Sequence, residues 1–190
     1  MTTSEMSLYD ANGRRKYLTT SELNEFLRAA ARSAPREHAY CLTLARTGGR
    51  LFEVLALRRQ DIDRKNEAIT IRSLKKRDKI HHRSIPVPPD LLTMLTLVFD
   101  LQGRGRPLER LWDVDERTGN RWVMKAMAAA GIEGQSPRSL RHTLGVTAVC
   151  RGIPLTMIQR WLGHADIKTT AIYTQAMGEE ERGLAARMWQ

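Results

Sequence analysis

Residues 136–174 read SPRSLRHTLGVTAVCRGIPLTMIQRWLGHADIKTTAIYT, and their punctuation predicts three consecutive helices. Ser136 is a good N-cap with Pro137 at the first helical position, where proline's fixed φ and missing N–H cost nothing. A helix over roughly 137–151 follows. Gly152 and Gly163 stand where C-terminal caps are expected, so a second helix occupies about 154–162 and a short third about 167–173. Arg138 and Arg141, three apart, share a face of the first helical turn. Free backbone N–H groups and the positive end of the dipole already favour an anion there. Two cations at that end repel the dipole unless a phosphate is close; for Arg141 alone, a core carboxylate partner is the competing reading. His164 falls in the turn after the second helix, nine residues before Tyr173.

Upstream, Thr19 and Glu22 form a capping-box pattern, and Leu23, Phe26, Leu27 and Ala30 repeat at helical spacing. Pro35 ends that helix. A second helical stretch over about 37–46 is broken by Thr47-Gly48-Gly49 before a short helix carrying Arg50, Glu53, Val54 and Leu57. Between residues 67 and 74 the pattern changes to alternation around Ile69 and Ile71, and Arg83-Ser84-Ile85-Pro86-Val87 reads as a returning strand across a basic loop. Beyond Pro89 the chain reads as helical, including stretches near 90–101 and 116–130. The expected fold is mainly α with a small antiparallel β-sheet or hairpin. Residues 1–18 are polar and aperiodic and read as an arm, 19–175 as one domain, and 176–190 as a tail. In the tail, Glu179, Glu180 and Glu181 precede Leu184, Ala185, Met188 and Trp189, the pattern of a short amphipathic helix with Arg187 near its end. Such a helix must dock, either on its own domain or on a neighbouring subunit.

The composition narrows the function. With 42% hydrophobic and 27% charged residues in 190, the chain has the profile of one soluble folded domain. Thirty-one Lys and Arg against 21 Asp and Glu give a formal charge of +10, which calls for a polyanionic partner. Nucleic acid is the leading class. A membrane surface is the competitor, but there is no apolar run of ~18 residues and no signal-peptide core, so the expected location is the cytoplasm, at the nucleoid. Cys41 and Cys150 lie far apart without zinc-like spacing and read as reduced core residues. No P-loop, GxGxxG or carboxylate cluster appears, so no cofactor and no metal are expected, and the chemistry must use side chains alone.

Five ordered blocks now stand together: residues 47–57 around Arg50, Leu74-Lys75, Leu140-Arg141-His142-Thr143, Leu162-Gly163-His164, and Thr169-Thr170-Ala171-Ile172-Tyr173-Thr174. Together they resemble the tyrosine recombinase, or phage integrase, family over about residues 19–173. The resemblance implies that Arg50 and Arg141 hold a scissile phosphate, Lys75 is the general acid, His164 assists, and Tyr173 attacks. It also implies that Glu53 supports the first arginine, although a surface partnership fits the spacing equally. Lys76 competes with Lys75 for the acid role, and Lys76, Arg77, Lys79 and Arg83 are expected on the DNA backbone. Arg138 departs from the family, which usually has histidine there; a guanidinium donates to phosphate but is too basic to accept a proton near pH 7. The helical domain that commonly precedes this unit and completes a clamp around the duplex is expected to be missing, as in the short recombinases that invert fimbrial promoter switches. The implied partners are double-stranded DNA, a homotetramer on paired sites, and an accessory DNA-binding protein. Two readings remain: an enzyme that cuts and rejoins DNA through a 3′-phosphotyrosyl intermediate, and a DNA-binding regulator of the same fold that no longer cuts.

Overall fold

The computed structural model describes residues 7–74, 80–176 and 179–189. The Thr19 hydroxyl accepts the Glu22 backbone N–H, and the Glu22 carboxylate accepts the Thr19 N–H at 2.8 Å. This predicted capping box opens helix α1, Thr20–Ala31, whose inner face buries Phe26, Ala29 and Ala30. α1 ends before Pro35, and Pro35 instead opens α2, Pro35–Thr47, the helix position a proline fits best. α2 runs through the centre of the molecule, with Ala39 to Ala45 continuously buried. Tyr40 on α2 meets Trp112 and Trp122 edge-on at 5.5 and 5.7 Å. Its hydroxyl donates to the Leu51 carbonyl at 3.1 Å, which ties α2 to the next short helix, α3, Leu51–Leu55. That approach requires Gly119, since a Cβ there would lie 2.7 Å from the Tyr40 oxygen.

The sheet has three antiparallel strands in the order β1-β2-β3: Ile62–Asp63, Ala68–Leu74 and Ile80–Pro86. Ile69 faces Ile85 and Ile71 faces Arg83 in register. Side chains alternate across the sheet, so Ile69, Ile71 and Ser73 share the buried face with Arg83 and Ile85. Helices α4 (Pro89–Phe99) and α5 (Glu116–Ala129) complete the larger core against α1, α2 and the sheet. A second, smaller core lies under α6 (Pro137–Cys150) and α7 (Leu155–Leu162), followed by α8 (Ile167–Ala171) and a 3₁₀ turn, Ile172–Gln175. At Ser136 the N-cap works in reverse: its backbone N–H donates to the Ser139 hydroxyl, which donates in turn to the Gln135 side-chain carbonyl.

The N-terminal segment is not a free arm from residue 7 onward. Leu8 and Tyr17 are buried in the second core, Tyr9 and Arg15 form an isolated β-bridge, and the Leu18 N–H donates to Thr143 Oγ1 at 2.8 Å. Two anchors joined by a tight turn leave no periodicity for a sequence reading to detect. Cys41 is buried, Cys150 partly so, and the two form no disulfide with each other. The tail forms α9, Glu179–Ala185, and a 3₁₀ turn through Trp189. α9 packs on α6 of its own chain, while Met188 and Trp189 remain exposed. Among the described residues, no helix is long and apolar enough to cross a membrane.

Candidate active site

The paired glycines before Arg50 act through backbone geometry. Gly48 caps α2 in the left-handed region at φ 60°, a conformation glycine adopts freely. A Cβ there would also collide with Leu144 and Leu162 at 2.8 Å. This turn places Arg50 at the N-cap of α3 in extended backbone and aims the Gly48 carbonyl at α6. That carbonyl accepts from Arg141 Nη1 at 2.8 Å, and the Leu162 carbonyl accepts from Arg141 Nη2 at 2.6 Å. Arg141 therefore crosses between the two cores and is held by neutral acceptors, not by the carboxylate that the competing reading required. Burial and then the nearby Arg50 charge push its guanidinium down to about 10, still fully charged at neutral pH.

Glu53 organises the other side. Its side chain is completely buried. It accepts from the Arg50 backbone N–H and Arg50 Nη1 at 2.9 Å each, from Arg83 Nη2 at 2.6 Å, and from the Ser73 hydroxyl. Burial pushes its carboxyl up, but the Arg83 hydrogen bond and charge, with the Arg50 N–H and Ser73, outweigh burial and hold it at about 2. The expected supporting role of Glu53 toward Arg50 thus has a geometric basis. Arg83, expected on the DNA backbone, is turned inward. Its side chain is 6% exposed and is held by Glu53, Ser73 and the Trp161 carbonyl at 2.8 Å. The signal was available: Arg83 has the same strand parity as Ile85 and Val87, which face the core.

His164 follows the left-handed cap of α7 at Gly163. Its Nδ1 lies 2.9 Å from the hydroxyl of buried Thr170, and its ring stacks on Tyr173 with centroids 6.1 Å apart. Burial, then Arg141 and Arg50, lowers its pKa to about 3, so it is neutral at pH 7. Tyr173 sits in the 3₁₀ turn and is 1% exposed. Burial raises its pKa, while Arg141, Arg138 and Arg50 pull it back. Its ring occupies a slot that exists because residue 145 is glycine, where a Cβ would lie 2.5 Å from the ring. Gly145 was not singled out by the sequence, since nothing local distinguishes it from any helix glycine.

Arg50, Arg138, Arg141, His142, His164 and Tyr173 line one cleft of about 600 Å³, with Lys16 and the exposed Phe52 at its border. Arg138 makes no hydrogen bond or ion pair among the described residues. Lys75, Lys76, Arg77 and Lys79 lie outside those residues. Among the described residues, no group of three or more His, Cys, Asp or Glu side chains converges as a metal site would. The cleft can bind an anion with several guanidinium donors and present it to a phenol flanked by two imidazoles.

A three-stranded sheet packed among helices, with this cleft at the meeting of α3, α6 and the Tyr173 turn, defines a tyrosine recombinase catalytic-domain fold. The crystal structure of XerA recombinase has it too, with a TM-score of 0.79 at 27% identity, covering 92% of this chain and 65% of that one. In sequence, the type 1 fimbriae regulatory protein FimB of Escherichia coli (strain K12) is 32% identical over 174 residues, 86% of this chain and 86% of FimB. The tyrosine recombinase XerA of Pyrococcus furiosus is 29% identical over 170 residues, 84% of this chain and 57% of XerA. The phage integrase family matches residues 16–180, and the chain belongs to that family.

Proposed function

We propose that this chain is a site-specific DNA recombinase that cuts and rejoins a duplex strand through a 3′-phosphotyrosyl intermediate, without metal or ATP. The observation that carries the reading is the convergence of Arg50, Arg141, His164 and Tyr173, from four separate segments, on one cleft. A phosphodiester carries one negative charge, and its pentacoordinate transition state concentrates more on the equatorial oxygens. Arg50 and Arg141, with Arg138 beside them, are preorganised donors for that charge. Arg141 spends two of its five N–H donors on carbonyls, which fixes the fork and leaves donors for phosphate. Tyr173 attacks phosphorus and retains the bond energy as an ester, so the 5′-hydroxyl later reverses the step without ATP. Lys75 of the basic loop is assigned to protonate the leaving 5′-oxygen, with Lys76 as its competitor, and Lys76, Arg77 and Lys79 to backbone phosphates. DNA is the substrate, and a homotetramer on paired sites, with or without an accessory DNA-binding protein, is the assembly that strand exchange between two duplexes calls for.

The near-complete burial of Tyr173 is the observation that favours a non-cutting DNA-binding regulator. One experiment separates the readings. A nicked duplex, selected from a random pool by its capture on the chain, is incubated with wild type and with Tyr173→Phe, with and without EDTA. The enzyme forms a covalent adduct that Tyr173→Phe abolishes and EDTA leaves unchanged. An adduct formed by Tyr173→Phe, or no adduct from wild type on any bound duplex, refutes the nucleophile assignment; loss of the adduct in EDTA refutes the metal-free mechanism.

A further inference from the structure

A phenol held in a buried slot needs a proton acceptor before it can attack, and Arg138 is not one, because a guanidinium stays protonated near neutral pH. One turn further along α6, at i+4 from Arg138 and so on the same face, stands His142. Its ring centroid lies 5.9 Å from that of Tyr173, with the planes tilted by 59°, and it lines the same cleft. Its Nδ1 is buried and has no hydrogen-bond partner among the described residues. An unpartnered buried ring nitrogen is costly to maintain, and in a cleft it marks a group kept ready for something the free protein lacks. The other imidazole, His164, has its Nδ1 engaged by Thr170 at 2.9 Å.

We propose that His142 is a further catalytic residue, a neutral imidazole that takes the hydroxyl proton of Tyr173 as the phenolate attacks. This rests on Tyr173 being the nucleophile. The Tyr173 O–H bond breaks as an N–H bond forms on His142. The phenolate oxygen bonds to phosphorus, the bond from phosphorus to the 5′-oxygen breaks, and that oxygen takes a proton from the acid of the basic loop. On rejoining, the 5′-hydroxyl returns its proton to the group of the basic loop as its oxygen attacks phosphorus, the bond from phosphorus to the Tyr173 oxygen breaks, and the His142 imidazolium returns its proton to Tyr173. The two side chains are not hydrogen-bonded in the free protein, so transfer runs after a ring rotation or across one water, as free-enzyme geometry commonly requires.

The surroundings fit a base that is uncharged at rest. Burial, then Arg138 and Arg141 on its own helix and Lys16 on the N-terminal segment, holds the imidazole at about 4. His164 and Tyr173 face it from the C-terminal turns, and Asp10, Arg14 and Arg15 border the adjoining cavity on its other side. A phosphodiester entering the cleft opposes Arg138 and Arg141 with negative charge and so makes His142 more basic when substrate is bound.

The test uses the full chain and the selected nicked duplex, with a sulfur in place of the scissile 5′-oxygen so that departure of the leaving group needs no acid. His142→Gln should form the Tyr173 adduct ~100-fold more slowly at pH 7, the scale of a lost general base. Its rate should keep climbing to pH 9, where wild type has levelled, and added imidazole should partly restore His142→Gly. Adduct formation by His142→Gln within twofold of wild type at pH 7 overturns the inference. So does a loss that is equal at pH 7 and pH 9 and is not restored by imidazole, the mark of a structural role; thermal melts and duplex binding of each variant are compared alongside. If wild type forms no adduct, the parent reading falls; if wild type forms it and His142→Gln matches wild type, only the His142 assignment falls.

Discussion

Replacing Glu53 with Gln should cost about 3 kcal/mol of folding stability at neutral pH, and two independent routes give that size. A carboxyl that titrates at about 2 in the fold and near 4.5 when free stabilises the folded state by roughly 3 kcal/mol, at about 1.4 kcal/mol per pH unit between the two values. Removing one partner of a buried ion pair costs about 3–5 kcal/mol, because the other charge is left buried and uncompensated. Here that charge is Arg83, at 6% exposure. The folded pKa lies below the free one, so the contribution is full above about pH 4.5 and is lost as pH falls toward 2. For a domain of this size, about 3 kcal/mol corresponds to a drop in Tm of roughly 6–12 °C. Chemical denaturation of wild type and Glu53→Gln at pH 7 and pH 3 measures both the gap and its closure. A gap below about 1 kcal/mol at pH 7, or one undiminished at pH 3, would refute the view that Glu53 is a strongly held anion.

Gly145→Ala should slow adduct formation at least tenfold while destabilising the fold by no more than about 1–3 kcal/mol, since the new methyl displaces the Tyr173 ring but gains helix propensity; denaturation paired with the adduct assay checks it. His142 and His164 are held at about 4 and 3, below their free value. The stability each contributes is therefore complete above pH 6.5 and falls as pH drops from there toward 4, by up to about 1.4 kcal/mol per pH unit each. A His142→Gln/His164→Gln double variant should lose that slope in denaturation between pH 6.5 and 4.5. Arg138→His should preserve or raise cleavage in the adduct assay if Arg138 serves as a phosphate donor only, and a ~100-fold loss, the scale of one transition-state donor, would assign it a specific role. Removing residues 178–190 should leave duplex binding intact and reduce recombination on a two-site substrate, because Met188 and Trp189 are exposed and free to contact another subunit.

What the sequence discloses about the site follows the reach of local geometry. Arg50, Arg141 and His164 each stand beside a helix cap or glycine turn whose residue types announce it, and Tyr173 is marked by its nine-residue spacing from His164 within the family blocks. Their neighbourhoods were readable even though their meeting in one cleft was not derivable from any one segment. Arg83 reads as a surface group because it stands beside a basic loop, while strand parity with Ile85 turns it inward. Glu53 showed its i+3 relation to Arg50, but its contacts with Ser73 and Arg83 come from 20 and 30 residues away and depend on the register of β2 against β3. The slot at Gly145 and the anchoring of Leu8 and Tyr17 are likewise tertiary, the first created by a missing side chain and the second by two contacts without a period.

The charge arrangement explains why the competing reading of Arg141 fails. A buried arginine normally finds a carboxylate, and a buried one, Glu53, lies near enough to Arg141 to act on its charge. Yet Glu53 is already saturated by Arg83, Arg50 and Ser73, so Arg141 is left with two carbonyls that fix its position without neutralising it. Arg50 is a like charge close enough to depress it further, and Arg138 adds a third cation to the cleft. At an effective dielectric of about 20, a unit charge at 4 Å is worth about 4 kcal/mol, so an anion entering among these guanidiniums relieves a repulsion that the fold maintains in its absence. A core built for stability alone would have spent Glu53 on Arg141. Assigning it to Arg83 and Arg50 keeps Arg141 charged, oriented and uncompensated, which is the condition a phosphate-activating arginine requires.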